Sequence, residues 1–564
     1  MSGERMLALD TEDDGQGVPY IINFFDGERH TTFVRDEARG ESPDRLRLRA
    51  WNWLYAQAPK GSGVRLYVWA CNAEYDLINV FGRWLGKMVT LQYVSSGLLR
   101  GMLRDRRVTF FDTLRHWPMS VEAMGDFLGY PKMAKDFRSV EYCRTDTEIV
   151  HRFASQMIAR YTALGLDVRA TLPSMALQLF AKKFYRRDFV MLPPPLVDWL
   201  RQGYYGGRVE VYRFGKIEGP VHHYDVNSLF PSVMVEGRYP DPASYTTTTR
   251  PDFDREGMAD VVVRVPESEY PPLPVRGASD ILYPYGTLAG VWCYPEIRRA
   301  IEDGADILSV RRAVEFRPMA TPFREYVEYC YAQRKRARHV LDDVLWKLYM
   351  NSLYGKFGQK PGLEMIYDDR NITLETKPSA AANVVWAAYV TCLARVRLLG
   401  HLRSTSACYY TDTDSLFTPD TLPTSAKLGG LKQEGVYESM EAVGNKMYAV
   451  TVSDEYLAGM KPRDRRGFVR EGDHHTRYKA KGVKMQDTGA DGVTHHVARD
   501  FIRTGRATFR KPARFRESRR TSAVANRWYE VEKVRQAVYT KRRVAADGTT
   551  RPWKYQEYVE VHGG

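Results

Sequence analysis

The chain has 564 residues and carries 83 Lys and Arg against 69 Asp and Glu, a net charge of +14. That length is too great for one hydrophobic core, so several domains are expected, and the charge favours a polyanionic partner, with ribosomal or membrane-surface roles as rivals. Six scattered cysteines without metal-ligand pairs read as reduced thiols in a cytosolic setting. The start, Met1-Ser2-Gly3-Glu4-Arg5, leads straight into a strand with no signal peptide. The longest apolar stretch, around Val384 to Ala394, is too short to span a bilayer, so no membrane segment is expected.

Met6-Leu7-Ala8-Leu9-Asp10-Thr11-Glu12 predicts a short apolar strand closing on two acids that share a face. Asn72 and Asp76 stand at the helical spacing i, i+4, and Tyr142 and Asp146 repeat it. Each pair alone reads as surface decoration. As a set, Asp10, Glu12, Asp76 and Asp146 are four carboxylates from three segments, able to hold two metal ions about 4 Å apart and activate a water for phosphodiester hydrolysis. Residues 1 to about 170 alternate short apolar strands with helices, an α/β pattern. Leu192-Pro193-Pro194-Pro195 reads as a stiff break. Tyr204-Tyr205-Gly206-Gly207-Arg208 sets rings beside a cation, which suits single-stranded nucleic acid.

Further on, an apolar β-like approach ends at Asp225 and gives way to a turn with Ser228 and Pro231. The basic run Gln333–Arg338 opens a helical region. Lys347, Asn351 and Tyr354 fall at i, i+4, i+7 on one helix face, beside Gly355. A cation, an amide and a ring on one face suit a triphosphate, a sugar and a base; an ordinary amphipathic helix is the other reading. Asp412 and Asp414 lie one residue apart in an apolar, β-favouring run and project to one side. Crowded acids resist ionisation unless neutralised, and a hard divalent cation such as Mg²⁺ does this. A solvated Asp-rich turn is the alternative. The tail from about 486 is basic and turn-poor.

In this order, the segments at Asp225–Pro231, Lys347–Gly355 and Tyr410–Ser415 resemble motifs A, B and C of family B DNA polymerases, with Phe230 where the family usually has Tyr. The N-terminal acids resemble the three motifs of proofreading 3′–5′ exonucleases. The resemblance implies an α/β multidomain fold: a ribonuclease H-like 3′–5′ exonuclease domain followed by a right-hand palm/fingers/thumb polymerase domain. The expected segments are 1–170 exonuclease, 171–240 junction and first palm segment, 241–322 an insertion between motifs A and B, 323–380 fingers with motif B and a shortened second insertion, 381–485 palm with motif C, and 486–564 thumb.

The resemblance also assigns roles. Asp225 and Asp414, with the Val226 carbonyl, would hold two Mg²⁺ ions, or Mn²⁺ in their place, and Asp412 would support them. Lys335 and Lys347 would grip the triphosphate, Leu229 and Asn351 would contact the nucleotide, and Tyr354 and Phe230 would pack the nascent base pair and sugar. Asp10, Glu12, Asp76 and Asp146 would hold a second pair of ions, with Tyr142 orienting the water and Lys132 matching a lysine of the protein-primed subgroup. DNA contacts are expected from Asn72, Thr113, Leu114, Tyr204, Gly206, Gly207, Lys446, Tyr448, Lys479 and Lys481. The expected function is a DNA-directed DNA polymerase with 3′–5′ exonuclease, replicating a phage or linear-plasmid genome by protein priming. Its expected partners are primer-template and single-stranded DNA, dNTPs and a terminal protein, and it would work as a monomer in the host cytoplasm. A family B polymerase starting from a nucleic-acid primer or from none is the alternative. A nuclease with a decayed polymerase site, or a non-catalytic DNA-binding factor, is opposed by the intact acids.

Overall fold

The run Met6–Leu9 is apolar at every position, which fits a strand covered on both faces. In the structure, a computed structural model, this strand is β1 (Glu4–Asp13) at the centre of a mixed sheet. The structure describes residues 4–563 apart from 15–16, 95–96, 105–106, 279, 361, 369–370, 378–381, 462–463, 489–492, 513–525, 527 and 537. β2 (Pro19–Phe25), β3 (His30–Val34), β4 (Arg65–Ala70), β5 (Val89–Val94), β6 (Gly97–Leu103) and β7 (Val108–Asp112) complete the N-terminal sheet in the order β3-β2-β1-β4-β7-β6-β5. β4 runs parallel to β1 and β7, and the other pairs are antiparallel. Leu7 and Leu9 face one core with Leu46 and Leu54, while Ala8 faces another with Ile149, Val150 and Phe153 of the helix Val140–Ala163. Ser139 starts that helix by accepting the Tyr142 N–H at 3.2 Å.

Two expectations about chain organisation change here. Leu192–Pro195 is not a linker: Pro194 and Pro195 occupy the first turn of the helix Pro194–Gln202, where a missing N–H costs nothing, and Leu192 and Leu196 are buried. The short second insertion forms strands Gly362–Asp368 and Asn371–Lys377, and the first pairs with β5, so this hairpin extends the N-terminal sheet rather than standing on the fingers alone.

A second sheet has eight strands, with β8 (Val209–Val211) at one edge. From that edge come Tyr410–Asp412, Ser415–Thr418, β9 (Gly215–Val226), Leu431–Gly444, Met447–Ser453, His474–Ala480 and Phe468–Glu471. Two antiparallel helices, Arg324–Arg336 and Val340–Phe357, rise beside it. The helix Val384–Arg403 lies beneath, with every side chain from Val384 to Cys392 buried, which explains its unbroken apolar run. Residues 241–322 form a four-stranded antiparallel sheet with its own core around Val261, Val263 and Trp292. Past the helix Val497–Thr504 and the hairpin Arg506–Pro512 with Trp528–Val534, the chain turns back. Residues 539–563 pack on β8 and on the inserted sheet: the Phe214 N–H donates to Gly548 O at 2.7 Å and the Ala278 N–H to the Tyr558 hydroxyl at 3.1 Å. The last part of the segment expected as thumb, 486–564, thus makes its contacts beside β8 and the inserted region.

Candidate active sites

The N-terminal acids converge. Asp10 and Glu12 share a face of β1, Asp146 comes from the helix Val140–Ala163, and one ligand atom of each lies within 4.8 Å of the others. Burial and the neighbouring Asp146 push Asp10 up to about 7. Burial, then Asp10 and Asp146, push Glu12 up to about 9. Asp10 Oδ2, Asp76 Oδ2 and Asp146 Oδ1 are buried without a hydrogen-bond partner, the condition a cation would relieve. The expected set of four is reduced to three plus one. Asp76, 1% exposed, stands outside the 4.8 Å group and accepts the Thr11 hydroxyl at 2.8 Å. Lys132 pairs with Asp146, and its amine lies 4.8 Å from the centre of the buried Tyr142 ring.

Two neighbours of this site have no signal in the sequence. Asp112 accepts the Asn72 and Leu114 N–H groups, both at 3.0 Å, and so ties two of the N-terminal motif segments together. Asn526 donates to Asn79 at 2.9 Å, Asn79 to Thr11 at 3.0 Å, and Thr11 to Asp76, a chain of hydrogen bonds from distant sequence to a carboxylate. Asn72 caps the helix Ala73–Phe81 in a left-handed conformation, so it does not share a helical face with Asp76. Thr113 is fully buried and cannot present its side chain to DNA. Leu114 is exposed and lines a 650 Å³ cavity with Arg100, Arg115, Arg169 and Lys356.

The palm acids are arranged by sheet register. Asp225 pairs with Ser415, and the Val226 N–H donates to Asp414 O at 2.7 Å, so β9 and the turn Asp412–Ser415 carry both acids to one place. Burial, Asp414 and then Glu434 push Asp225 up to about 7, and burial and Asp412 raise Asp414. Asp412 is paired with Lys446, whose amine reaches it at 2.6 Å. Asp225 and Lys347 line a 600 Å³ cavity with Arg334, Asp343, Lys432 and Glu434. Arg334, not Lys335, is on its wall; Lys335 is exposed with its amine 4.7 Å from the Tyr331 ring centre. Asn351 Oδ1 is buried without a partner, and the Tyr354 ring stacks on Phe230 at 4.5 Å. Leu229 is 1% exposed in the central core, so its side chain does not face a nucleotide.

Backbone strain is concentrated at these motifs. Among the described residues, the non-glycine positions with positive φ are Asn72, Ser228, Thr413 and Lys446, one in each of four motif segments. Such conformations cost energy and persist only where surroundings enforce them. Gly207 makes one of them feasible: a Cβ there would come within 2.6 Å of the Thr413 methyl. The Tyr204 ring lies against Gly358, and the Gly206 carbonyl accepts from Arg395 at 2.8 Å. Tyr448 packs against Tyr410 and Phe417, Lys479 opposes it with an exposed side chain, and Lys481 is exposed beside Lys446. No helix among the described residues is long and apolar enough to cross a membrane.

Comparison with known proteins agrees with this geometry. Residues 131–377 match the family described as DNA polymerase type B, organellar and viral. The DNA-directed DNA polymerase of Enterobacteria phage PRD1 is 26% identical over 387 residues, 60% of this chain and 66% of that one. The Escherichia coli protein named primer-independent DNA polymerase PolB is 27% identical over 398 residues, 56% of this chain and 44% of that one. The matched part of this chain thus spans just under two thirds of the phage enzyme and less than half of PolB. The structure of Phi29 DNA polymerase complexed with primer-template DNA and incoming nucleotide superposes with a TM-score of 0.70 at 16% identity, covering 94% of this chain and all of that one. Its fold is that of this chain: an α/β domain followed by palm, fingers and thumb. In its family match over residues 131–377, its motif order and its fold, the chain is similar to the organellar and viral type B DNA polymerases.

Proposed function

We propose that the chain is a DNA-directed DNA polymerase with a 3′–5′ exonuclease, replicating a phage or linear-plasmid genome in the host cytoplasm as a monomer. The observation that carries this reading is the meeting of Asp225, on β9, with Asp414, in the turn before the neighbouring strand, beside a cavity lined by Asp225, Lys347 and Arg334. Acids beside cations in one cavity suit a triphosphate whose metal sits on the acid side. Asp225 and Asp414, with the Val226 carbonyl, would hold two Mg²⁺ or Mn²⁺ ions. When bound, the ions lower the pKa of an attacking hydroxyl and neutralise charge on the leaving pyrophosphate. Lys347 and Arg334 would hold the phosphates, and the stacked Phe230 and Tyr354 rings would form the floor under sugar and base. Lys446 keeps Asp412 neutralised close to the primer end. At the second site Asp10, Glu12 and Asp146, with Asp76 behind, would hold the same kind of ion, and Tyr142 with Lys132 would orient the attacking water.

The proposed ligands are primer-template and single-stranded DNA and dNTPs, and the proposed first acceptor is a hydroxyl of a separate terminal protein, as the motif around Leu114 and Lys132 suggests. A second reading, initiation without a protein primer, is favoured by the likeness to PolB. A primer-extension assay with Mg²⁺ and four dNTPs tests the main claim, and no extension on a primed template would overturn it. A parallel reaction without a primer, with and without a candidate terminal protein, separates the two readings. A protein-linked nucleotide supports the first, and product formed from template alone supports the second. Affinity for DNA should fall steeply with salt, because binding by a +14 chain releases counterions from many phosphates.

A further inference from the structure

β8 is an edge strand, and an edge strand exposes unpaired N–H and C=O groups that something must satisfy. Its inner side pairs with the strand Tyr410–Asp412, where Asp412 opposes Val209 and Thr411 opposes Glu210. The Thr413 N–H extends this pairing by donating to Arg208 O at 2.7 Å, which fixes the strained turn between Asp412 and Asp414. Among the described residues no strand pairs with its outer side. Side chains from the end of the chain take its place: Lys541 donates to Val209 O at 2.9 Å, Thr550 to Val211 O at 2.9 Å, and the Tyr539 hydroxyl accepts the Val211 N–H at 2.9 Å.

A buried ionic cluster locks this arrangement. Arg208, Glu210 and Arg542 are each 1% exposed or less. Arg208 reaches Glu210 at 2.6 Å, and Arg542 approaches the other Glu210 oxygen at 3.8 Å. Arg542 also pairs with Glu269 and donates to the Thr550 hydroxyl at 2.8 Å. Arg208 Nη2 and Glu210 Oε1 have no hydrogen bond, so the cluster holds by charge pairing, and removing one partner would leave another buried charge uncompensated.

We propose that the segment Tyr539–Thr550 is a clasp on β8 that positions the Asp412–Asp414 turn, so that Lys541, Arg542 and Thr550 are positioning residues for nucleotide addition. This rests on the polymerase reading above. It predicts that loosening the far side of β8 disturbs chemistry at the turn on its near side, where Asp412 also feels the Lys541 charge.

The test uses the full chain with Lys541→Met and Thr550→Val, and Arg542→Lys as a conservative third variant. Single-turnover nucleotide addition, exonuclease rate on single-stranded DNA, and hydrogen–deuterium exchange of the peptide 409–418 are measured together. The clasp predicts a fall in kcat of roughly tenfold to a hundredfold, since a misplacement of about 1 Å at reacting groups can cost that much. It also predicts an unchanged exonuclease rate and faster exchange in the turn. Wild-type kcat in Lys541→Met and Thr550→Val, or equal loss of both activities together with a lowered Tm, would overturn it. If the wild-type chain itself extends no primer, the polymerase reading fails, while the exchange measurement still decides whether the clasp holds the turn.

Discussion

The two acid clusters solve one problem in different ways. In the N-terminal site three carboxylates, Asp10 half-buried and Glu12 and Asp146 buried, crowd within 4.8 Å, and Asp10 and Asp146 each keep a buried oxygen without a hydrogen-bond partner. In the palm Asp414 is crowded by both Asp225 and Asp412, Asp225 lines an open cavity, and Asp412 is tied to Lys446. Each cluster thus contains one lysine on one aspartate, Lys132 on Asp146 and Lys446 on Asp412. The first cluster is tight enough to enclose the ion proposed for it. The second leaves room for a nucleotide, and its remaining charge must come from ligands. Burial sets the difference, because the same pair of charges interacts far more strongly when water is excluded.

The largest effects should separate the sites completely. Asp225→Asn or Asp414→Asn should lower nucleotide addition by about a thousandfold or more, because several kcal/mol of charge stabilisation are lost. Exonuclease activity on single-stranded DNA should persist, and extension at the wild-type rate by either variant would end the assignment. The converse double change, Asp10→Ala with Glu12→Ala, should remove 3′–5′ degradation to a similar degree and leave extension intact. Degradation surviving undiminished would mean that this cluster is structural.

The two lysines sharpen the comparison. Lys132→Ala should slow degradation about ten- to a hundredfold, and Lys446→Ala should slow extension within the same range, the scale on which partners of metal-holding groups act. A cross effect, with Lys132→Ala slowing extension, would break the independence of the sites. Phe230→Val tests selectivity, which belongs to the palm alone. Opening space beside Tyr354 should reduce the dNTP over rNTP ratio of kcat/KM by about tenfold, from a steric cost of about 1–3 kcal/mol. An unchanged ratio would make Phe230 a packing residue.

The smallest effect concerns stability. The folded values of Asp10 and Glu12, about 7 and about 9, lie above their ordinary 3.8 and 4.5. A carboxyl raised on folding contributes stability below its ordinary value and loses it as pH rises through the folded value. Metal-free protein should therefore lose a few degrees of Tm between about pH 5 and pH 9. Mg²⁺ should raise Tm more at pH 8 than at pH 6, and Asp10→Asn with Glu12→Gln should flatten both trends. A Tm that rises with pH in metal-free wild-type protein, once those two changes are known to leave it unaltered, would show that these acids are already neutralised.

Local sequence carried the elements and the acids. The apolar run into Asp10 could only be a two-faced strand, the i, i+4, i+7 face of Lys347, Asn351 and Tyr354 only a helix, and the order of three motifs fixed the family likeness. These are properties of neighbouring residues, where period and chemistry are written side by side. What tertiary structure alone decided involves residues far apart in the chain. Register on one sheet brought Asp225 to Asp414 across almost 190 positions and left Asp76 outside the group of three. Packing buried Leu229 and Thr113, which their motifs had offered to ligands, because a motif names a position and not the direction of its side chain. The C-terminal segment gave no local sign of packing beside β8. Lys541, Arg542 and Thr550 look like ordinary surface residues until an edge strand more than 300 positions away requires the hydrogen bonds they supply.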